Sequence, residues 1–395
     1  MKRRTFTAIA LMVTMLGLLP GRATAGEPAD SAAPATVPPV PVLAYYYNWF
    51  DTHSWDRAKI DYPETGRYSS DDPRVIRTQI QQAKSAGIGG FIVSWKSTPT
   101  NNRRLRLLVT IAGEEQFKLA MIYQGLDFSR NPQPGERVAA DFQEFQQSFA
   151  DDPVFLRVSG KPLTIFSGTW AFDHDSVGAI TGPVRNSMLV LSTEKSVDGY
   201  RRLADVTDGD AYYWSSVDPD THPNYPDKLL AMSEAIHSDG KIWIAPFSPG
   251  FDARLVGGTK SVDRKDGETM TRQYQAAALS APDAFGLISW NEYSENTHVE
   301  PSVAFGERYL TVLHDLLVTQ TPATFDDLGD SSGSPPGGTK DLRQNLILLG
   351  IFVVGLLSVV GFLGWRNRKR NPWPPPHASG LTAMPDMVHS AGPDQ

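Results

Sequence analysis

The sequence predicts an α/β fold, a (β/α)8 TIM barrel with one C-terminal transmembrane helix, and three observations predict it. Eight short apolar runs recur between Val40 and Leu317, with helix-like stretches between most of them. A leader-like segment precedes them, and an uncharged stretch of 20 residues, Leu346 to Trp365, follows them. Apolar strands that alternate with amphipathic helices imply a parallel sheet. Eight such units point to a sheet closed on itself rather than left open.

The chain starts Met-Lys-Arg-Arg, runs apolar from Phe6 to Leu19 and reaches Ala23-Thr24-Ala25. That order of charge, short apolar core and small residues is a secretory signal, residues 1–25, cleaved after Ala25. The alternative, an uncleaved anchor, needs a longer apolar core than this one. Residues 26–39 are mostly Ala, Pro, Ser and Thr and form an extended lead-in.

The barrel domain occupies residues 40–325, a normal size for one α/β barrel. Its runs are Val42–Tyr47, Gly90–Trp95, Lys118–Tyr123, Leu163–Ser167, Met188–Leu191, Ala211–Trp214, Ile242–Pro246 and Gly286–Trp290. The clearest helix starts at Asp72-Pro73 and carries Val75, Ile76, Ile80 and Ala83. Asp72 suits an N-cap and Pro73 the first helical position.

Residues 326–345, with a Gly/Ser/Pro-rich run from Gly329 to Gly338, make a flexible stalk. Leu346–Trp365, as a helix rising about 1.5 Å per residue, spans roughly 30 Å of hydrocarbon. Arg366, Arg368, Lys369 and Arg370 follow it directly. Basic residues stay cytoplasmic, which places the barrel outside the cell on a single-pass membrane protein. Residues 366–395 form a disordered cytoplasmic tail. Its Pro372-Trp373-Pro374-Pro375-Pro376 run leaves open a docking role besides plain solvation.

Composition removes several kinds of chemistry. The chain has no cysteine, which excludes thiol catalysis and zinc–thiolate sites. His53, His174, His222 and His298 show no metal-ligand spacing, so neither a metal nor any other cofactor is expected. From residue 26 to 343 there are 29 Lys and Arg against 42 Asp and Glu, a net charge of −13. So acidic a domain is a poor partner for nucleic acid, which requires basic surface.

In a barrel of this kind the active site lies at the carboxyl ends of the strands. Aromatic and polar residues crowd those ends: Tyr46 and Trp49 after the first run, Trp95 after the second, Tyr123 and Gln124 after the third. Tyr213 and Trp214 follow the sixth, Asp252 and Arg254 the seventh, and Asn291 and Tyr293 the eighth. Rings offer rigid area to sugar C–H faces while polar groups take hydroxyls, so this set is the predicted substrate-binding set. Rings that only fill the core are the alternative for any single one. Glu292 and Glu295, three residues apart just past the last run, are the predicted catalytic pair. Glycoside cleavage needs one carboxyl to protonate the leaving oxygen and a second as nucleophile or base. A pair of solvated loop glutamates is the plain alternative.

The stretch ISWNEYSENTHVEPS, from Ile288 to Ser302, resembles the pattern of glycoside hydrolase family 99, the endo-α-mannosidases and endomannanases. LAYYYNWF followed by Trp55 resembles that family's first strand, and RYSSDDPRVIRTQIQQAKSAGIGGFIVSW its second unit. SGKPLTIFSG is similar to the fourth strand, DGDAYYWSS to the sixth and APFSPGFDARL to the seventh. The resemblance spans Leu43 to Ser302. It implies a (β/α)8 barrel, a glycan substrate, no cofactor, and retention without an enzyme nucleophile. By that resemblance Glu292 takes the proton of the sugar 2-hydroxyl, which attacks C1 to give an anhydro sugar. Glu295 protonates the departing oxygen and then assists water, and Tyr213 lines the site. The chain departs from the family at Tyr293-Ser294, where the family has Trp-His. It departs again at Ile122-Tyr123-Gln124-Gly125, where the family strand carries an acidic IEPY-like end. The sequence thus predicts a membrane-anchored extracellular glycosidase, endo-acting, that cleaves α-linked polysaccharide or glycan, of the mannan type or another envelope glycan. A non-catalytic glycan-binding protein on the same barrel, or a signalling ectodomain, is the alternative.

Overall fold

The computed structural model describes residues 40–57, 59–127 and 129–318. The expected signal (1–25), lead-in (26–39), stalk (326–345), membrane span (346–365) and tail (366–395) lie outside the described residues. Among the described residues no helix is long and apolar enough to cross a membrane.

Eight strands run parallel: β1 (Val42–Tyr47), β2 (Ile88–Trp95), β3 (Lys118–Gln124), β4 (Lys161–Ser167), β5 (Leu189–Leu191), β6 (Gly209–Ala211), β7 (Ile242–Phe247) and β8 (Ala284–Leu287). Each is followed by a helix: α1 (Pro73–Ser85), α2 (Pro99–Glu114), α3 (Gly135–Ser148), α4 (His174–Thr181), α5 (Val197–Leu203), α6 (Tyr225–Ser238), α7 (Glu268–Leu279) and α8 (Arg308–Leu317). Neighbours in sequence pair from β1 through β5 and from β6 through β8, and β8 pairs back onto β1. Between β5 and β6 the Ser192 amide donates to the Gly209 carbonyl at 3.0 Å, and the Ala211 amide to Ser192 at 2.8 Å. The backbone bonds therefore run all the way round a TIM-barrel-like fold.

Alternation along the strands sorts the core into two layers. Leu43, Tyr45, Tyr47, Ile92, Ala120, Ile122, Ile165, Leu191, Ala211 and Ile244 pack together inside the ring. Val42, Ala44, Tyr46, Phe91, Val93, Trp95, Met121 and Tyr123 pack instead with helix residues such as Ile76, Ile80, Leu105 and Phe142. Strands buried on both faces read as unbroken apolar runs, which is why VLAYYY is buried at every position. Each such aliphatic or Phe side chain adds about 1.5–3 kcal/mol of burial.

The helices are fixed by local signals. In α1 the Asp72 side chain accepts the Arg74 amide, Pro73 takes the first position, and Ile76, Gln79, Ile80 and Ala83 face inward. Two strands lie earlier than the apolar runs suggest. The run read as Ala211–Trp214 is strand only at Gly209–Ala211, and that read as Gly286–Trp290 is strand at Ala284–Leu287. The sixth strand is disguised by a glycine and a buried acid. Gly209 (φ +148°) leaves no room for a side chain, since a Cβ would stand 2.1 Å from the Ile242 carbonyl oxygen. Asp210 is buried because Ser192 Oγ (2.6 Å) and the Glu194 amide (2.7 Å) donate to its carboxyl.

Candidate active site

The loop after β8 folds back on itself at the carboxyl end of the ring. The Ser289 amide donates to the Thr297 carbonyl at 2.9 Å, the Thr297 amide to that of Glu292 at 3.1 Å, and the Glu292 amide to Ser289 Oγ at 2.9 Å. Its other edge is held from outside. The Asp252 amide donates to the Glu295 carbonyl at 2.7 Å, and Arg264 donates to that of Asn296 at 2.9 Å. The loop is anchored on both sides of Glu292 and Glu295.

Glu292 is buried, and Oε1 accepts the Ser294 amide at 2.8 Å. Burial, then the charge of Glu295, pushes its carboxyl up to about 7, against the Ser294 hydrogen bonds and the pull of Lys59. Glu295 is partly exposed; burial raises its carboxyl too, while Arg130 pulls it down. Inside the ring the Tyr47 and Tyr213 hydroxyls share a hydrogen bond of 2.8 Å. Both phenols feel both glutamates, and burial is the main force holding each in its protonated form. Tyr45 meets Tyr213 edge-on at 4.9 Å. Trp49, 43 % exposed, lies over Tyr47 at 4.4 Å and offers an open ring beside the pair.

The predicted substrate-binding residues divide into three groups. Trp49, Gln124, Tyr213 and Trp214 stand at the mouth. Gln124 is half-buried on the inward side of β3 and donates to Ser94 Oγ at 3.2 Å. Trp214 is half-buried against Tyr212 and Tyr225. Asp252 and Arg254 pair with each other at 2.7 Å, so their charges satisfy one another while the Asp252 backbone holds Glu295.

The remaining five are corrected. Tyr46, Trp95 and Tyr123 point outward between the strands and the helices. Tyr46 donates to Gln79 of α1 at 2.8 Å, Trp95 to Asn102 of α2 at 3.0 Å, and Tyr123 to Asp141 of α3 at 2.9 Å. They lie one residue out of step with the inward face, and a single step reverses a strand side chain. Asn291 is fully buried, and its amide is committed to backbone: it accepts the Tyr47 amide at 2.8 Å and donates to the Tyr47 carbonyl at 2.9 Å. Tyr293 is buried behind the loop, stacked on His298 at 4.0 Å, with Phe50 and Trp55 against its edge.

Sequence reasoning did not single out the groups that support the pair. Tyr68 accepts from Asn291 at 3.2 Å and donates to Glu300 at 3.0 Å, and Gln79 donates to Glu300 at 2.6 Å. Lys59 and Arg130 are lone cations in loops, without a sequence signal. Once Tyr46 is seen to point out, alternation turns Tyr47 in. Among the described residues no group of His, Asp and Glu could hold a metal ion.

A parallel barrel that sets a buried glutamate beside a partly exposed one, in the loop after its last strand and beside paired tyrosines, has the build of a glycosidase. The chain belongs to glycosyl hydrolase family 99, whose model matches residues 48–313. It is 24% identical over 267 residues to a rat (Rattus norvegicus) glycoprotein endo-alpha-1,2-mannosidase, covering 61% of this chain and 56% of that one. The chain thus spans little more than half the length of that relative. A mouse (Mus musculus) glycoprotein endo-alpha-1,2-mannosidase-like protein is 23% identical over 349 residues, 70% of this chain and 74% of its own. Among solved structures, the endo-alpha-mannosidase of this family from Bacteroides thetaiotaomicron, in complex with BIS-TRIS-propane, superposes with a TM-score of 0.62. It is 22% identical and covers 75% of this chain and 100% of its own, a likeness of fold.

Proposed function

We propose that the chain is an endo-acting glycosidase that cleaves α-linked glycan outside the cell while tethered to the membrane. The observation that carries this reading is the buried Glu292, raised to about 7 beside Glu295 at the barrel mouth. A general base works best with a pKa near the working pH, and burial supplies that here. Glu292 takes the 2-hydroxyl proton as the 2-oxygen attacks C1, and Glu295 gives its proton to the departing oxygen. Water then attacks C1 of the anhydro sugar. Glu295 takes the water's proton, Glu292 returns its own to the 2-oxygen, and two inversions leave the configuration retained. Trp49 and Tyr213 hold the reacting sugar. The relatives' names make α-mannosides the first substrates to try. The 20 uncharged residues Leu346–Trp365 and the basic residues after them support the tether.

The test is reducing-sugar release from α-mannan by carbonate-washed membranes of cells making the full chain, compared with Glu292→Gln and Glu295→Gln. Wild-type membranes should release product, and each variant should lose about 10²–10⁴-fold with no fall in the thermal midpoint of the barrel. Undiminished turnover in both variants ends the assignment, and activity washed off with the soluble fraction ends the tether. A second reading, glycan binding without cleavage, draws on the end of β3, where Ile122-Tyr123-Gln124-Gly125 carries no acid and Gln124 presents an uncharged amide. Binding without product would favour it.

A further inference from the structure

The chemistry above makes no use of an arc of positive charge on one side of the barrel mouth. Arg130 caps a tight turn after β3, in which the Asp127 amide donates to the Asn131 carbonyl at 2.9 Å and Arg130 takes φ +64°. Lys195 follows β5, and its Nζ stands 3.8 Å from the ring centre of Trp170, which follows β4. Lys228, in the first turn of α6, lies 4.6 and 4.7 Å over the rings of Tyr212 and Trp214 and donates to Tyr212 Oη at 2.8 Å. Burial first, and then the charge of Arg130, lowers Lys195 against the pull of Glu194; burial and then Lys195 lower Lys228. Arg130 also faces Glu295.

None of the three takes part in an ion pair among the described residues, whereas Arg103, Arg104, Arg185, Arg202 and Arg254 all do. The acids nearby are engaged elsewhere. Glu194 accepts from Arg202 at 3.2 Å, and Asp127 accepts the Asn131 amide at 2.8 Å within its own turn. Glu295 and Glu194 act on Arg130 and Lys195 only through their charge, without an ion pair, so in a domain of net charge −13 three cations stand together with no direct carboxylate partner among the described residues. Like charges drawn together repel, and a bound anion removes that repulsion. The neighbouring rings add the flat apolar area that a sugar's C–H face needs.

We propose that Arg130, Lys195 and Lys228 receive an anionic substituent, a carboxylate, sulfate or phosphate, carried by the glycan on the Glu295 side of the cleft. This rests on the glycosidase reading and names its substrate class. Trp170 and Trp214 lie against the sugar that bears the charge.

The test uses the full chain as Glu292→Gln, which binds without turning over. It is titrated calorimetrically with neutral α-1,2-mannotetraose and with the same oligosaccharide bearing a 6-sulfate, a 6-phosphate or a terminal uronate. At least one charged probe should bind about 10-fold more tightly than the neutral one, as charge-assisted hydrogen bonds allow. That advantage should shrink several-fold between about 0.1 and 1 M NaCl, as the Debye length falls from roughly 10 Å to 3 Å. Lys195→Glu should remove it, and Lys228→Glu, on a different element, serves if the first variant fails to fold. The probe that gains most identifies the anion. Equal binding of neutral and charged probes, or an advantage that survives both charge reversals, overturns the proposal. Wild-type cleavage of the neutral probe with no charged preference leaves the hydrolase reading standing without this one. Charged probes bound through Lys195 and never cleaved would do the reverse.

Discussion

At the scale of single residues, Glu292 sits under opposing forces whose balance sets the pH at which it is a base. Burial, the largest, and the charge of Glu295 hold its proton on; the Ser294 hydrogen bonds and Lys59 take it off. Its folded pKa of about 7 lies above the ordinary 4.5, so the carboxylate form that the proposed mechanism needs fills only as the pH rises through neutrality. The acid limb of kcat/KM should therefore fall near 7, since that profile reports the free enzyme's groups. Lys59→Met removes the nearby charge that favours the carboxylate, so the limb should shift to higher pH while the plateau rate stays within about 3-fold. A limb that stays in place, measured across pH 5–9, would show that another group sets it. That Glu292 and Glu295 stand together at the mouth was legible in the sequence because two acids just past a strand are a pattern. Their tuning was not, because Lys59 and Arg130 reach them from loops more than 150 residues away in sequence.

Among the elements, the join between the first and last strands positions the chemistry. Asn291 imitates a strand partner: its side-chain amide takes both backbone bonds of Tyr47 and so fixes the end of β1 against the loop that carries Glu292. The same residue donates to Tyr68, which leans on Glu300. Asn291→Ala leaves the Tyr47 amide and carbonyl buried without partners, at about 1–3 kcal/mol for each. Denaturant unfolding should show a loss of about 2–4 kcal/mol, and kcat should drop by about 10²-fold or more as Glu292 drifts. A folded variant with unchanged kcat would separate the clamp from catalysis. Strand facing explains where sequence reasoning went astray here. Tyr45, Tyr46 and Tyr47 are adjacent, chemically alike and all buried, so composition alone gives no way to tell which two look into the ring. The clearest helix, by contrast, was readable from Asp72-Pro73 and its apolar stripe, because capping and periodicity are local.

For the whole molecule, the order of strands and helices was legible because each βα unit repeats one local pattern, while closure between β5 and β6 depends on a glycine and a buried acid that no strand propensity signals. That acid belongs to a set with a global consequence. Glu292 and Glu300 are raised to about 7 and Asp210 to about 8, in each case chiefly by burial. All three bind protons more tightly folded than unfolded, where they ionise near 4.5, 4.5 and 3.8. Their contribution is complete below those ordinary values and is lost as pH rises toward the folded ones. His298 works the other way: burial lowers it from 6.5 to about 4, so it disfavours the fold as pH falls through that interval. Between about pH 5 and 7 three carboxyls oppose one imidazole, and the unfolded chain holds fewer protons than the folded one, so stability declines with rising pH. The thermal midpoint of the barrel should fall by several degrees from pH 5 to pH 7 and flatten beyond pH 8. Glu300→Gln keeps an acceptor oxygen for Gln79, sets a donor amide toward Tyr68 and removes one titrating proton, and should reduce that slope by about a third. A midpoint that climbs over the same range, in either protein, would mean that these carboxyls are already ionised in the folded state, and that the barrel wall does not withhold them from water as their burial requires.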